Sequence, residues 1–112
     1  MSGRKSRIKG AVWERKLVRL FREAMPEADV KRGLQYRSGD ETCDVDVSPF
    51  WIEAKAHNRT NIKAALRQAM ETAPQGRLPI AVCKDDYKQP IAAMLLDDFL
   101  ELIEQWWIGQ RR

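Results

Sequence analysis

Two short alternating segments around Ser48-Pro49 constrain the fold more than any other part of the sequence. Residues 43–47 read Cys-Asp-Val-Asp-Val, and residues 50–55 read Phe-Trp-Ile-Glu-Ala-Lys. Apolar residues that recur at every second position are typical of a β-strand with one buried face. A serine and a proline between two such segments suit a turn. The sequence therefore predicts a β-hairpin whose strands each carry ionisable groups on one face.

The register of this hairpin predicts a metal site. If the turn is centred on Ser48-Pro49, Asp44 lies directly opposite Glu53, and Asp46 lies opposite Trp51. Opposed side chains have Cβ atoms about 4.5–5.5 Å apart, and like charges placed there are destabilising. Two carboxylates held that close share a proton or a cation, and Mg2+ prefers carboxylate oxygens and water. Asp46 remains the alternative metal-binding aspartate.

A lysine on the same strand completes a group with a recognisable chemistry. Lys55 lies two residues beyond Glu53, so both side chains leave the same face of the strand. Two acids and a lysine around a divalent ion suit phosphodiester hydrolysis, because the metal neutralises developing charge and lowers the pKa of a bound water. Asp44, followed nine residues later by Glu53-Ala54-Lys55, resembles the D…(D/E)xK core of the PD-(D/E)xK nuclease superfamily.

The first predicted helix, from about residue 10 to residue 25, adds a third acid. Glu14 falls inside the apolar arc of this helix, where an ionised carboxylate is costly unless something pairs with it. Either Glu14 pairs with Lys55 or reaches solvent at the edge, or it borders the metal site. Residues 9–15, Lys-Gly-Ala-Val-Trp-Glu-Arg, resemble the KGxxxER opening of small phage and archaeal PD-(D/E)xK enzymes, including Holliday-junction resolvases, in which the first helix supplies a glutamate to the site.

The rest of the chain predicts further strands and helices. Strands are predicted over 30–37, 78–84 and 91–96, and helices over 62–73, capped by Thr60 or Asn61, and from Asp98 to Gly109. The order helix, three strands, helix, two strands, helix predicts an α/β fold with a mixed central sheet flanked by helices. It resembles the αβββαβ, restriction-endonuclease-like core of the superfamily from Gly10 to about Glu104.

The resemblance also implies roles for the site residues. Asp44 and Glu53 would hold Mg2+ or Mn2+ together with the backbone carbonyl of Ala54. Glu14 would assist directly or through water, and Lys55 would orient the attacking water. The implied activity is that of a metal-dependent DNA endonuclease that leaves a 5′-phosphate and a 3′-hydroxyl.

Two other polar side chains fall near the predicted site. Gln68 lies on the helix after the ExK strand, where related nucleases often direct a glutamine at the active site; an exposed helix face explains it equally well. His57 is the only histidine and falls in a polar loop. His57 is not assigned as a catalytic base, because Lys55 is better placed beside the acidic pair.

The charge distribution predicts a polyanionic partner. The first ten residues contain four basic residues and no acidic one, namely Arg4, Lys5, Arg7 and Lys9. These four account for the net charge of +4, because basic and acidic residues balance in the rest of the chain. A basic segment on a neutral body suits DNA, although a solubilising terminus has the same composition. Cutting both strands of a branched or four-way junction with one site per chain requires a homodimer. Trp106 and Trp107 are predicted to complete the core, with a dimer contact as the alternative.

Length and composition bound the remaining possibilities. A chain of 112 residues predicts one domain, here a flexible basic arm over 1–8 and a nuclease domain over 9–112. No long apolar run suggests a membrane segment or signal peptide. Cys43 and Cys83 are read as reduced core residues, which favours a cytoplasmic protein.

Structure-specific cleavage, as in a Holliday-junction resolvase, is the predicted activity. Three alternatives remain: a nuclease of a phage or mobile element that nicks linear or single-stranded DNA, a catalytically silent DNA-binding or dimerisation module of the same fold, and a protein-interaction domain whose acids and lysine form a surface ion-pair cluster.

Overall fold

The computed structural model describes residues 3–33 and 43–111. Residues 34–37 of the first predicted strand, half of its length, and the turn that follows it therefore lie outside the described residues. The elements are α1 (Gly3–Ala24), β1 (Lys31–Arg32), β2 (Val45–Val47), β3 (Phe50–His57), α2 (Ile62–Thr72), β4 (Leu78–Asp85), β5 (Ile91–Ala93) and α3 (Leu96–Gln110). The strands form one sheet in the order β1-β2-β3-β4-β5. Only β3 and β4 are parallel neighbours, so the predicted α/β class with a mixed sheet is confirmed.

Different helices cover the two faces of the sheet. Ile52 and Ala54 of β3 belong to a buried cluster with Trp13 of α1, whereas Trp51 of β3 packs with Ala69 of α2. Successive side chains of a strand point to opposite faces, so α1 and α2 lie on opposite sides of the sheet. Helix α2 is the crossover that two parallel neighbours such as β3 and β4 require.

The β2–β3 hairpin has the predicted register. Its paired residues are Val45–Ile52, Asp46–Trp51 and Val47–Phe50. The backbone N–H of Asp44 donates to the carbonyl oxygen of Ile52, the partner of Val45, at 2.9 Å, so the regular ladder ends at Val45–Ile52 and Asp44 forms an irregular step beside it. The paired positions therefore stop short of the predicted Asp44–Glu53 pair, although a hydrogen bond joins the two carboxyl groups.

Helix α1 is longer than predicted. It begins at Gly3 rather than near Gly10, so the prediction of a flexible arm over 1–8 is wrong for residues 3–8. Apolar periodicity identifies only the part of a helix that packs on a core. Arginine and lysine have high intrinsic helix propensity, so a basic segment extends the helix without contributing to the packed face.

The predicted limits of α3 are wrong. Leu95 is the N-cap, and no side-chain hydrogen bond caps the helix. Asp98 was predicted at the cap but lies in the first turn together with Asp97, where carboxylates interact favourably with the helix dipole. Gly109 does not end the helix, which extends to Gln110.

The two C-terminal tryptophans lie outside the core. Trp106 is 59% exposed and Trp107 is 54% exposed, so the prediction that they complete the core is wrong. The buried clusters of the described residues contain side chains of α1, α2 and the strands but none of α3. The apolar side of α3 therefore has a different partner or none.

Three local predictions agree with the structure. Asn61 caps α2, since its side-chain oxygen accepts a hydrogen bond from the N–H of Ala64 at 3.0 Å. Residues 80–83 of β4 are all buried, as expected of a central strand. Cys43 and Cys83 are buried and unpaired. Within residues 3–33 and 43–111, no helix has the length and apolarity needed to cross a membrane.

Candidate functional site

Asp44 and Glu53 are the two buried charged residues in the described part of the chain. Asp44 is 7% exposed and Glu53 is 2% exposed. Asp44 lies just before β2 and Glu53 in the middle of β3, and a hydrogen bond joins their carboxyl groups. Burial of two acids on adjacent strands is costly, so this position is not explained by the stability of the fold.

The electrostatics of the pair favour a shared proton when no cation is present. Burial, followed by the charge of Asp44 and a hydrogen bond between the two carboxyl groups, raises the pKa of Glu53 to about 8. The backbone N–H of Ala54 donates to Oδ2 of Asp44 at 2.9 Å. Oε2 of Glu53, in contrast, is buried without a hydrogen-bond partner. Oδ2 of Asp44 is thus fixed by the backbone, whereas Oε2 of Glu53 is left to bind another ligand.

Lys55 lies on the same side of β3 as Glu53 and is close enough to act on it. Its positive charge opposes the rise in the pKa of Glu53. Lys55 itself is only partly buried. This arrangement agrees with the predicted position of the lysine beside the acidic pair.

Glu14 reaches the same group from α1. Its pKa is raised by burial and by the charge of Asp44, while hydrogen bonding and charge from Arg32, and then the charge of Lys55, oppose the rise. The guanidinium of Arg32 donates to Oε1 of Glu14 from Nε at 3.1 Å and from Nη2 at 2.9 Å. The ion pair of Glu14 is therefore with Arg32 rather than with Lys55, and Glu14 also borders the acidic pair.

The donor set fits a hard divalent cation that keeps several waters. In residues 3–33 and 43–111, no three His, Cys, Asp or Glu side chains converge to hold an ion by themselves. Mg2+, however, is commonly bound through one or two carboxylates with water completing an octahedron. Asp44 and Glu53 supply two carboxylates, and Oε2 of Glu53 is a buried oxygen without a partner. A cation would compensate the charge that burial disfavours.

Asp46 has a separate structural role. Its Oδ1 accepts from Nη2 of Arg77 at 2.5 Å, and the same guanidinium lies 5.3 Å from the centre of the Trp51 ring. Arg77 also donates to the carbonyl oxygens of Phe50 at 2.5 Å and Pro49 at 3.3 Å. Arg77 thus ties the hairpin turn to the start of β4. Of the two aspartates, Asp44 is the one that faces Glu53.

Gln68 is not joined to this group by the contacts of the described residues. It lies on α2 with an exposed side chain, and its backbone carbonyl accepts a hydrogen bond from the hydroxyl of Thr72 at 3.2 Å. Its assignment to the catalytic group stays a prediction. The role of the Ala54 carbonyl as a metal ligand also stays a prediction, although the N–H of Ala54 already holds Asp44.

Sequence reasoning missed two arginines that organise the surroundings of the site. Arg32 orients Glu14 across 18 residues of sequence, and Arg77 holds Asp46 across 31 residues. No local spacing relates residues that far apart, because the sheet brings them together. The contact between Arg32 and Glu14 exists because β1 lies beside β2 in the sheet and next to α1.

Replacing Arg77 with alanine should destabilise the protein without removing the metal site. Alanine loses the partly buried ion pair with Asp46, two bonds to backbone carbonyls and the contact with Trp51. We expect a loss of about 2 kcal/mol in the free energy of unfolding, measured by urea denaturation. Asp46→Asn should cost less and retain Mn2+ binding. Loss of Mn2+ binding in Asp46→Asn, with binding retained in Asp44→Asn, would contradict this assignment.

Comparison with known proteins adds no family to these observations. The chain matches no protein-family model, no curated protein and no solved structure. The functional argument therefore depends on the site and on the surfaces around it.

Proposed function

We propose that this chain is a Mg2+- or Mn2+-dependent endonuclease of the PD-(D/E)xK type that hydrolyses phosphodiester bonds in DNA. The observation that carries the proposal is the buried, hydrogen-bonded pair Asp44 and Glu53 with Lys55 beside it. A structural ion-pair cluster would leave no buried carboxylate oxygen without a partner, whereas Oε2 of Glu53 has none.

The site residues divide the chemistry between them. Asp44 and Glu53 would hold the ion, which neutralises charge on the phosphate and lowers the pKa of a bound water when present. Lys55 donates a hydrogen bond that orients the attacking water and stabilises the negative charge that develops on the phosphate. The water oxygen forms the new bond to phosphorus and gives up a proton to solvent, the bond from phosphorus to the 3′-oxygen breaks, and the 3′-oxygen takes up a proton from solvent. The products are a 5′-phosphate and a 3′-hydroxyl.

Glu14 and Arg32 support the site from α1 and β1. The guanidinium of Arg32 fixes one oxygen of Glu14 through two N–H donors. The carboxylate of Glu14 lies close enough to Glu53 for its charge to contribute to the raised pKa of Glu53, and the charge of Asp44 contributes to the raised pKa of Glu14. In this position Glu14 accepts a hydrogen bond from a water at the site, which helps to place that water.

The basic surface of α1 supports DNA as the substrate. Arg4, Lys5 and Arg7 are exposed on the first turns of the helix. A cleft of about 240 Å3 between α1 and the sheet is lined by Lys9, Val12, Trp13, Lys16, Ala56, Lys84 and Asp86. The cleft lies on the α1 side of the sheet, and within it Lys9 pairs with Asp86. Lys16 and the exposed cations of the first helical turns supply positive charge that attracts phosphates non-specifically.

Branched DNA is the substrate that we favour. Recognition of a long base sequence requires contacts to base edges in addition to phosphate contacts, and one five-stranded sheet with three helices has little surface for both. A junction is recognised by its shape. Cutting it symmetrically requires two copies of the chain, because each copy has one site. A nuclease that nicks linear or single-stranded DNA would use the same site as a monomer.

A cleavage panel tests this proposal. Wild-type protein is incubated with Mg2+ and with four-way junction, flap, nicked and linear DNA, in parallel with a chelator control. We expect cleavage of the junction with 5′-phosphate ends and none in the chelator. Absence of cleavage on every substrate, together with the absence of a saturable Mn2+ site, would leave a silent DNA-binding module instead.

A further inference from the structure

Helix α3 exposes the apolar face of an amphipathic helix. At about 100° per residue, one broad face collects the six large apolar residues Leu96, Phe99, Leu100, Ile103, Trp106 and Trp107. Their exposed fractions range from 42% to 67%, and no residue of α3 is buried. An amphipathic helix normally buries this face against another element. The described part of this chain does not cover it.

The exposed face is large enough to form an interface. An aromatic side chain buries about 150–250 Å2, so these half-exposed aromatic and aliphatic residues leave roughly 600 Å2 uncovered. That is the upper end of the patches found on monomeric proteins. Two such patches would bury about 1,200 Å2, the lower end of specific interfaces.

The charges of α3 restrict what covers this face. Its charged residues are Asp97, Asp98, Glu101 and Glu104, with no lysine or arginine between Leu96 and Gln110. Helices that lie on anionic membranes carry a basic polar face, and nucleic acid is bound by basic residues. Both partners are therefore disfavoured. A second copy of the chain offers an equally large apolar face, with its acids directed away from the contact.

We propose that α3 pairs with α3 of a second copy, antiparallel across a two-fold axis near Ile103. Ile103 is the central residue of the helix, so this axis brings Phe99 against Trp107 of the second copy. The antiparallel direction also places the first-turn acids of each helix near the exposed Arg111 at the end of the other. The contact is isologous, so it closes as a dimer rather than growing into a filament.

This inference depends on the surface of α3 alone and stands whether or not the chain cuts DNA. If both proposals hold, the dimer supplies the two sites that symmetric junction cleavage requires. The two are separable in experiment, since dimerisation is measured without DNA or metal.

Oligomeric state tests the interface. Wild-type protein should sediment as a dimer at high concentration, whereas Ile103→Glu should be a folded monomer with a dissociation constant raised at least ~100-fold. Gln105→Glu is the matched control, because it adds the same charge on the polar face of the same helix and should remain dimeric. A monomeric wild-type protein would overturn the proposal, as would an Ile103→Glu variant that stays dimeric.

Cross-linking gives a second readout that does not disturb the helix. Ile103→Cys should react with a short bismaleimide to give a covalent dimer, and Gln105→Cys should not. Cys43 and Cys83 are 0% and 3% exposed, so they contribute little background. Equal cross-linking of both variants, or of neither, would contradict an axis near Ile103 even if Ile103→Glu failed to fold.

Discussion

Replacing Lys55 with alanine is expected to lower the rate of DNA cleavage by about 10²–10⁴-fold, the range observed when a group that assists proton transfer is removed. The lysine is partly buried beside two carboxylates and orients the water that attacks phosphorus. Alanine leaves the carboxylates in place, and it removes a positive charge that competes with the ion. Mn2+ should therefore still bind, at least as tightly as in the wild type. Single-turnover cleavage and calorimetric titration measure the two effects.

Two other variants make this result specific. Lys63→Ala removes an exposed lysine from α2 and should leave cleavage and Mn2+ binding unchanged. Asp44→Asn should abolish both, because it removes a carboxylate that faces Glu53. Full activity in Lys55→Ala would eliminate the proposed role of the lysine. Unchanged Mn2+ affinity in Asp44→Asn would eliminate the metal site.

Replacing Glu53 with glutamine is expected to stabilise the metal-free protein at pH 8. The folded-state pKa of Glu53 is about 8, above its ordinary value of 4.5, so folding takes up a proton between these pH values. Its contribution to stability is fully present below about pH 4.5 and is lost as pH rises towards 8, by at most about 1.4 kcal/mol per pH unit. Glutamine resembles the neutral acid at every pH. The melting temperature of Glu53→Gln should therefore exceed that of the wild type by about 5 °C or more at pH 8.

The difference between the two proteins, measured with a chelator present, isolates Glu53 from other titrating groups. It should shrink towards zero near pH 4.5. Added Mn2+ should raise the melting temperature of the wild type at pH 8 and have little effect on Glu53→Gln. Glu71→Gln, on an exposed position of α2, should follow the wild type throughout. A Glu53→Gln variant that is less stable than the wild type at pH 8 would show that the carboxylate is not under electrostatic strain.

The hairpin and its acidic pair were predictable because their determinants are local. A period-two pattern on both sides of a proline turn determines which residues oppose each other. The register from Val45–Ile52 to Val47–Phe50 then follows by counting, and Asp44, one residue before this ladder, comes close to Glu53. The caps and breakers of α2 are equally local, since Asn61 caps the helix through a side chain three residues from its partner.

Other features depend on contacts that a single sequence does not reveal. Glu14 was correctly placed in an apolar arc, but its partner Arg32 lies on a different element and was not identified. To choose between Asp44 and Asp46 as the metal-binding aspartate, one must know that Asp46 pairs with Arg77, which lies 31 residues away in the sequence. Periodicity also indicated that Trp106 and Trp107 share the apolar side of a helix. It did not indicate whether that side meets the core, solvent or another chain.

A crystal grown with Mn2+, with anomalous diffraction recorded at a wavelength where manganese scatters strongly, tests the central claim most directly. The account predicts a peak between the carboxylates of Asp44 and Glu53, bound by one oxygen from each, with Lys55 facing the coordinated water. A Mn2+ ion bound elsewhere in the chain, or no peak between these two carboxylates at saturating Mn2+, would contradict it.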